Sequence, residues 1–504
     1  MLKNIGSNWA LNVVQILVFM VITTFVVNTF QESFGIWEAI VAAAGPLQLL
    51  ILGVPMATVR GISRHLAKND PAAANRVLGT SVSLALVMGV VTLVVGALVY
   101  LGFDALLLSS DRWKLPPADL ADARVAYWVF VANLAIGFCL RLPYAVYDAH
   151  HDFIPRNLIM GTGFLVKLGL TISLLSLDAT LTTLAWVQVI VAVLEFVLAF
   201  SVSRRRHRNM RFAPVRLERA QVLEILSFSV FALLLNMGAM LAFRIDALVI
   251  GASLSQAEVT TYAIGSKIFV PLINVLLAIG MVVMPMATQL AAQERGGEVR
   301  DVFLKWSKVA TTLVLMLGSY LVIVGPEFLA WWIGEPYKPL SGTLLQVLMV
   351  SFFVFLPVRG VALPVLMGLG RPRGPAFGLV GMGLANLVLS LALVGPYGVL
   401  GVALGTAIPN MLFAGWFVHR ACKELELSTS ECLAYVGGRP LLGALPAAGL
   451  LLLAKLTVGI EGFLPLVLAG LGFVGVFGAL QVFYVWRGDR FFDLHRTVMA
   501  RLGR

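Results

Sequence analysis

About fourteen apolar stretches run through the 504-residue chain, each close to the ~20 residues that cross a hydrocarbon core as a helix, and nothing else in the sequence limits its fold so strongly. They fall at 8–28, 36–57, 78–101, 125–147, 157–177, 182–202, 225–246, 260–285, 309–325, 341–366, 376–394, 398–418, 440–459 and 463–486. Hydrophobic residues make up 59% of the chain and charged residues 12%, about half the charged share of a soluble domain. A single soluble core has no room for that much apolar surface, so lipid is the solvent for most of the chain. Every backbone polar group needs an internal partner there, and runs of this length supply one as helices. The expectation is an all-α polytopic membrane protein.

The first stretch follows Lys3 and has no small-residue cleavage pattern behind it, so it reads as a membrane helix rather than a cleaved signal. Gly395-Pro396-Tyr397-Gly398 is a turn signal that divides 376–394 from 398–418. The net charge is +11, and its distribution points to membrane orientation rather than to nucleic acid. With the N-terminus inside, the cytoplasmic connections carry Arg60, Arg64, Lys68 and Arg76, then Arg156, then a cluster from Arg204 to Arg219. Arg295, Arg300, Lys305 and Lys308 follow, then Arg371, Arg373, Arg420, Lys423 and Arg439. The other side carries Arg112, Lys114, Arg124 and Lys338, so the count is roughly 27 to 4. Both termini are therefore expected in the cytoplasm. Cys139, Cys422 and Cys432 form no CxxC pair, and neither a disulfide framework nor a zinc site is readable.

Pro-Met-Ala-Thr occurs twice, in GVPMAT at 53–58 and VMPMAT at 283–288. Each copy ends the second helix of a set of six, and the longest basic loop lies between the sets. This suggests two parallel six-helix pseudo-repeats, a common transporter plan. The expected division is a half at 1–202, a basic linker at 203–224, a half at 225–418, and two extra helices with a basic tail at 419–504.

Four segments resemble the bacterial polysaccharide flippases of the multidrug/oligosaccharidyl-lipid/polysaccharide exporter superfamily. They are the opening NWALNVVQILVFMVITTFVVNTFQESFGIWEAIVAAAGPLQLLILGVPMATVRGISRHLA, PYAVYDAHHDFIPRNLIMGTGFLVKLGL, FRIDALVIGASLSQAEVTTYAIGSKI, and VLMGLGRPRGPAFGLVGMGLANLVLSLALVGPYGVLGVALG. The resemblance covers most of residues 1–420 and lies in helix register and scattered Gly, Asp, Tyr and Pro. It implies a fold like that of the multidrug (MATE) exporters and movement of polyprenyl-diphosphate-linked oligosaccharides to the outer leaflet of the bacterial cytoplasmic membrane. Polysaccharide polymerases or glycosyltransferases are the implied partners. A multidrug/cation antiporter and a peptidoglycan-precursor flippase remain open alternatives, and a membrane polymerase or glycosyltransferase is a further one.

Ionisable residues inside spans are costly and read as functional by default. The candidates for a cationic, hydrated substrate cavity between the halves are Lys167, Arg141, Arg244, Lys267 and Arg359, with Glu195 and Asp246 as candidate charge partners. The excess of cations suits an anion such as a diphosphate, which Arg grips bidentately and Lys meets as a point charge. Lys167 is too deep to snorkel easily, and lines the cavity or pairs with a residue such as Glu195. Arg141 and Arg359 lie in the cytoplasmic third, Arg244 and Lys267 toward the outside, and Lys455 reads as a snorkelling anchor. Arg244 and Asp246 do not face each other on a helix, so each needs a partner on another helix, or Asp246 already lies outside the span. His150-His151-Asp152 reads as solvated loop, not a metal site. Pro46, Pro55, Pro143, Pro271, Pro285, Pro357, Pro364 and Pro409 predict kinks, and Gly374/Gly378 and Gly401/Gly405 predict close helix approach. No Walker loop and no Ser/His/Asp set is readable, so neither cofactor nor catalysis is expected.

Overall fold

The computed structural model describes residues 2–51, 54–66, 68–217 and 230–501. Gly53 of the first repeat copy, Arg219 and the first residues of the seventh stretch lie outside them. Eleven helical segments among the described residues are long and apolar enough to cross a bilayer. A pair bent by 41°, Leu233–Phe243 with Asp246–Ser253, makes a twelfth. Two of these segments each carry two of the expected stretches, which accounts for all fourteen. In Leu11–Leu50, helix α1 (Leu2–Phe30) stops where Gln31 adopts a φ of 49°, and α2 (Phe34–Ala44) begins after the turn. In Arg373–Glu424 the break is Gly398, whose φ of 57° and ψ of −137° only glycine takes up freely. Large exposed apolar side chains such as Leu98, Leu158, Leu412 and Leu456 suit a lipid-facing surface.

The chain forms two compact units. One is Met1–Met237 with Leu254–Thr260. After α1 and α2 it contains α3 (Val54–Leu66), α4 (Pro71–Phe103), α5 (Pro117–Leu140), α6 (Leu142–Ala149), α7 (Phe153–Leu177) and α8 (Leu181–Arg206). Helix α1 packs on α7, α5 on α8 and on α4, and α7 on α8. Asp122 caps α8, accepting from the backbone of Leu181 at 2.7 Å and Thr182 at 3.0 Å. The first part of the basic linker lies along α4. Asn75 binds the backbone of Asn209 and Arg211, and Ser83 that of Val215.

The other unit is Gly238–Ser253 with Thr261–Arg504. Helix α9 (Val230–Phe243) enters it at Gly238, and α10 (Asp246–Ser253) follows. Next come α11 (Gln256–Lys267), α12 (Phe269–Ala292), α13 (Gly296–Trp332), α14 (Lys338–Pro357) and α15 (Leu363–Gly368). The chain continues through α16 (Arg373–Glu424), α17 (Thr429–Leu433), α18 (Arg439–Thr457) and α19 (Phe463–Leu480). Helix α14 packs between α13 and α16, and α10 packs on α16. Helices α18 and α19 lie on α13 through a core that includes Leu315, Val324, Ala447, Leu451, Phe473 and Phe477.

The structure corrects several readings of single residues. Lys455 is not a snorkelling anchor: its Nζ bonds Glu327 at 2.9 Å and the Ile323 carbonyl at 2.5 Å, tying α18 to α13. Lys308, counted with the basic loops, is 1% exposed within α13 and pairs with Asp489 at 2.6 Å. The repeat copies differ in local structure, one opening α3 and the other lying inside α12. Both threonines nonetheless donate to the carbonyl four residues back, Thr58 to Val54 and Thr288 to Met284. Pro143 and Pro364 start helices after a break, whereas Pro285, Pro357 and Pro409 lie inside helices.

Of the four expected contact glycines, Gly374 meets nothing, while Gly378 faces the rings of Trp416 and Phe417. Gly401 and Gly405 close the hairpin inside α16: a Cβ at Gly401 lies 2.0 Å from the Leu393 carbonyl oxygen, and one at Gly405 lies 2.6 Å from the Ser390 nitrogen. Backbone cannot yield cheaply, so Gly401→Ala is expected to cost about 1–3 kcal/mol. Thermal unfolding in detergent checks this against Gly374→Ala, expected to be neutral or stabilising.

Candidate functional site

Four of the five candidate cations sit at interruptions in helices, and the sequence accounts for three of these breaks. Proline lacks the N–H that would bond four residues back. Pro143 therefore leaves the Cys139 carbonyl without its helical donor, and α5 ends at Leu140 with Arg141 as the joint to α6. Pro271 does the same to Lys267, the last residue of α11. Pro364 does it to Gly360, inside the π-bulge Val358–Ala362 that contains Arg359. Arg244 occupies the turn where α9 gives way to α10. Non-helical backbone at membrane depth is tolerated where it is buried in protein or lines water. Arg141, Arg244 and Lys267 also stand at C-terminal helix ends, where a cation offsets the helix dipole.

In the first unit Arg141, Lys167 and Glu195 form a cluster. About 16 Å of helix rise separates Lys167 from Arg156 and Glu195 from Arg206, which puts both at matching depth on the adjacent helices α7 and α8. Glu195 faces α7 at Gly163, one turn before Lys167, where a Cβ would lie 2.6 Å from its carboxyl carbon. The Tyr144 hydroxyl donates to Glu195 Oε2 at 3.2 Å. Arg156 is engaged with Asp148 at 3.0 Å.

In the second unit Arg359 lies over the Phe243 ring, with its guanidinium carbon 5.7 Å from the centroid. Its Nε is buried and makes no hydrogen bond among the described residues. Asp246 is 2% exposed at the start of α10, where a carboxylate is favoured by the helix dipole. It accepts from Tyr262 and, at 2.9 Å, from the Thr406 hydroxyl, and Asn386 supports Thr406 at 3.0 Å. Arg244 is exposed.

In the histidine stretch His151 is exposed, as a solvated loop requires, while His150 and Asp152 are half-buried in a contact with the end of α8. The His150 and His207 rings meet at a 31° tilt with centroids 4.0 Å apart, and His207 Nε2 lies 3.5 Å from Asp152, which also binds Arg206 at 3.1 Å. The sequence hid this because His207 arrives from the far end of α8. Burial, and then the His150 ring, lower the proton affinity of His207, against the pull of Asp152. The unfolded chain therefore binds this proton below about pH 6.5 while the folded chain resists it, so stability here falls as pH drops through that value. Amide exchange at 148–152 and 204–210 is expected to speed up below that pH in the wild type and not in His207→Gln. Equal protection across the range contradicts this.

The model of the polysaccharide biosynthesis protein family matches residues 1–291, more than half of the chain. The chain belongs to this family. No curated protein matches it significantly. Its fold is that of the transporters of the multidrug/oligosaccharidyl-lipid/polysaccharide superfamily. It is similar to the lipid II flippase MurJ in an inward closed conformation over all of both chains, at 10% identity and a TM-score of 0.71. An inward-facing multidrug MATE transporter matches 82% of this chain and 95% of its own, at 15% identity and a TM-score of 0.62. A superfamily transporter from Pyrococcus furiosus, whose reversed pocket polarity is said to suggest a different function, matches 82% and 93% at 17% identity and a TM-score of 0.59. As in the sequence reading, this family protein is a helical membrane protein, with eleven or twelve candidate spans among the described residues, two of them each holding two of the expected stretches.

Proposed function

We propose that this chain moves polyprenyl-diphosphate-linked oligosaccharides across the bacterial cytoplasmic membrane by alternating access, for cell-surface polysaccharide synthesis. The observation that carries the reading is Arg359. Arg359 is half-buried inside a span, its buried Nε makes no hydrogen bond among the described residues, and an anionic substrate would offset the cost of that charge. The Arg141–Lys167 pair gives the first unit a cationic site of its own, and Arg244 and Lys267 add further positive charge at breaks. Family membership supports an intermediate of polysaccharide synthesis as that anion. The diphosphate is the part of such a lipid that every family glycan would share, and it matches bidentate arginine.

The basic loops mark the cytoplasmic face, with both termini on it. Polymerases or glycosyltransferases that supply and use the glycan are the proposed partners. The division into halves at 1–202 and 225–418, with 419–504 added, is kept as part of this proposal. Antiport of organic cations fits less well, because the candidate cations inside the spans outnumber the carboxylates that a cationic substrate would need. Native mass spectrometry of the purified protein tests the choice. Retention of a polyprenyl-diphosphate oligosaccharide but not of the free polyprenol supports the proposal. Retention of an organic cation in its place supports antiport.

A further inference from the structure

Glu195 has a role that its pairing suggests. We propose that it is a built-in competitor for the substrate: its carboxylate occupies Arg141 and Lys167 when no diphosphate is present and takes them back as the diphosphate leaves. This deepens the anion-site reading above and rests on it.

Three observations converge on the carboxylate. Arg141 caps the helix α6 that carries Tyr144, and Lys167 follows one turn after Gly163 on α7, so both cations flank the carboxylate. The Tyr144 hydroxyl fixes one of its oxygens from α6. On α7, one turn before Lys167, stands Gly163, where a Cβ would lie 1.9 Å from Glu195 Oε1 and 2.6 Å from its carboxyl carbon. The missing side chain is what lets the carboxylate lie against α7 beside Lys167. Two further charges nearby, Arg156 and Asp148, pair with each other at 3.0 Å.

A transporter gains nothing from a site that holds its cargo too well, since binding must be favourable enough to load and weak enough to release. Bare cations in a low dielectric grip a diphosphate, with an ionised oxygen on each phosphorus, tightly. A carboxylate on the same cations lowers that grip by exchange: each contact the phosphate gives up is replaced, so no cation is left unpaired at release. Tyr144 keeps the carboxylate within reach while it is displaced.

The test uses the full chain in detergent with inorganic pyrophosphate as probe, read by titration calorimetry, and transfer of a labelled polyprenyl-diphosphate oligosaccharide in liposomes as the second readout. Glu195→Gln keeps the shape and the acceptor for Tyr144 but removes the charge. It is expected to bind pyrophosphate about tenfold tighter or more, and to transfer lipid several-fold more slowly. Gly163→Ala keeps the charge but pushes the carboxyl off α7, and is expected to change both readouts in the same direction. It decides the matter if the Gln variant folds poorly. Lys167→Ala is expected to bind more weakly. Weaker binding in Lys167→Ala with unchanged or weaker binding in both other variants overturns the competitor role and leaves the anion site standing. No pyrophosphate binding by the wild type overturns the anion site, and the competitor role with it.

Discussion

Lys308→Ala is expected to lower stability by about 3–5 kcal/mol, the cost of leaving a buried charge without its partner. Lys308 and Asp489 are each 1% exposed and meet at 2.6 Å. The Lys308 ammonium also bonds the Val485 carbonyl at 3.2 Å and lies 4.8 Å from the Tyr435 ring centroid and 4.7 Å from that of Trp486. Asp489 accepts from the Tyr435 hydroxyl and from the backbone of Phe491 and Phe492. Burial pushes the Asp489 carboxyl up, but Lys308 and these donors outweigh it and hold it below the usual carboxylate range. The pair thus ties the segment after the last span to α13. Thermal unfolding of Lys308→Ala, Asp489→Ala and the double variant measures the coupling. Single losses that exceed the double loss are the expected pattern, because removing both charges leaves neither stranded. Losses that simply add contradict a coupled pair.

Arg359→Met is expected to do the reverse. The guanidinium has a buried Nε without a hydrogen bond and a ring contact to Phe243, so its charge costs the fold rather than supporting it. Met fills similar space without charge, and the melting temperature is expected to stay level or rise. Transfer of the lipid-linked diphosphate is expected to fall by about tenfold to a hundredfold, since a charged hydrogen bond contributes about 1.5–3 kcal/mol. A gain in stability with a loss of transport separates a functional residue from a structural one, which is the trade-off expected where a site carries a cost for its use. A variant that loses both identifies Arg359 as part of the fold.

These two residues show what was legible in the sequence. Hydropathy found the spans because lipid accepts little else, and Gly395-Pro396-Tyr397-Gly398 found the break in α16 because only glycine adopts the conformation at 398 readily. Arg359 stood out as a charge inside an apolar run. Lys308 did not, because the apolar run starts just after it while the helix begins at Gly296. Its partner lies far along the chain, and no local pattern links them. The partner of Lys455 is hidden in the sequence for the same reason, since Glu327 belongs to another helix. The helix breaks at Arg141 and Lys267 were readable in principle from Pro143 and Pro271, two and four residues on. Gly163 carried no signal until Glu195 was seen lying against it.

The most direct test of the account is leaflet transfer. Purified wild type and Arg359→Met are placed in liposomes with a fluorescent polyprenyl-diphosphate oligosaccharide, and the label reaching the opposite leaflet is measured with and without a membrane potential. The account predicts protein-dependent transfer by the wild type and its loss in the folded variant. Equal transfer by both contradicts the role of the Arg359 guanidinium, and no transfer by the wild type with any lipid-linked diphosphate contradicts the proposed function itself.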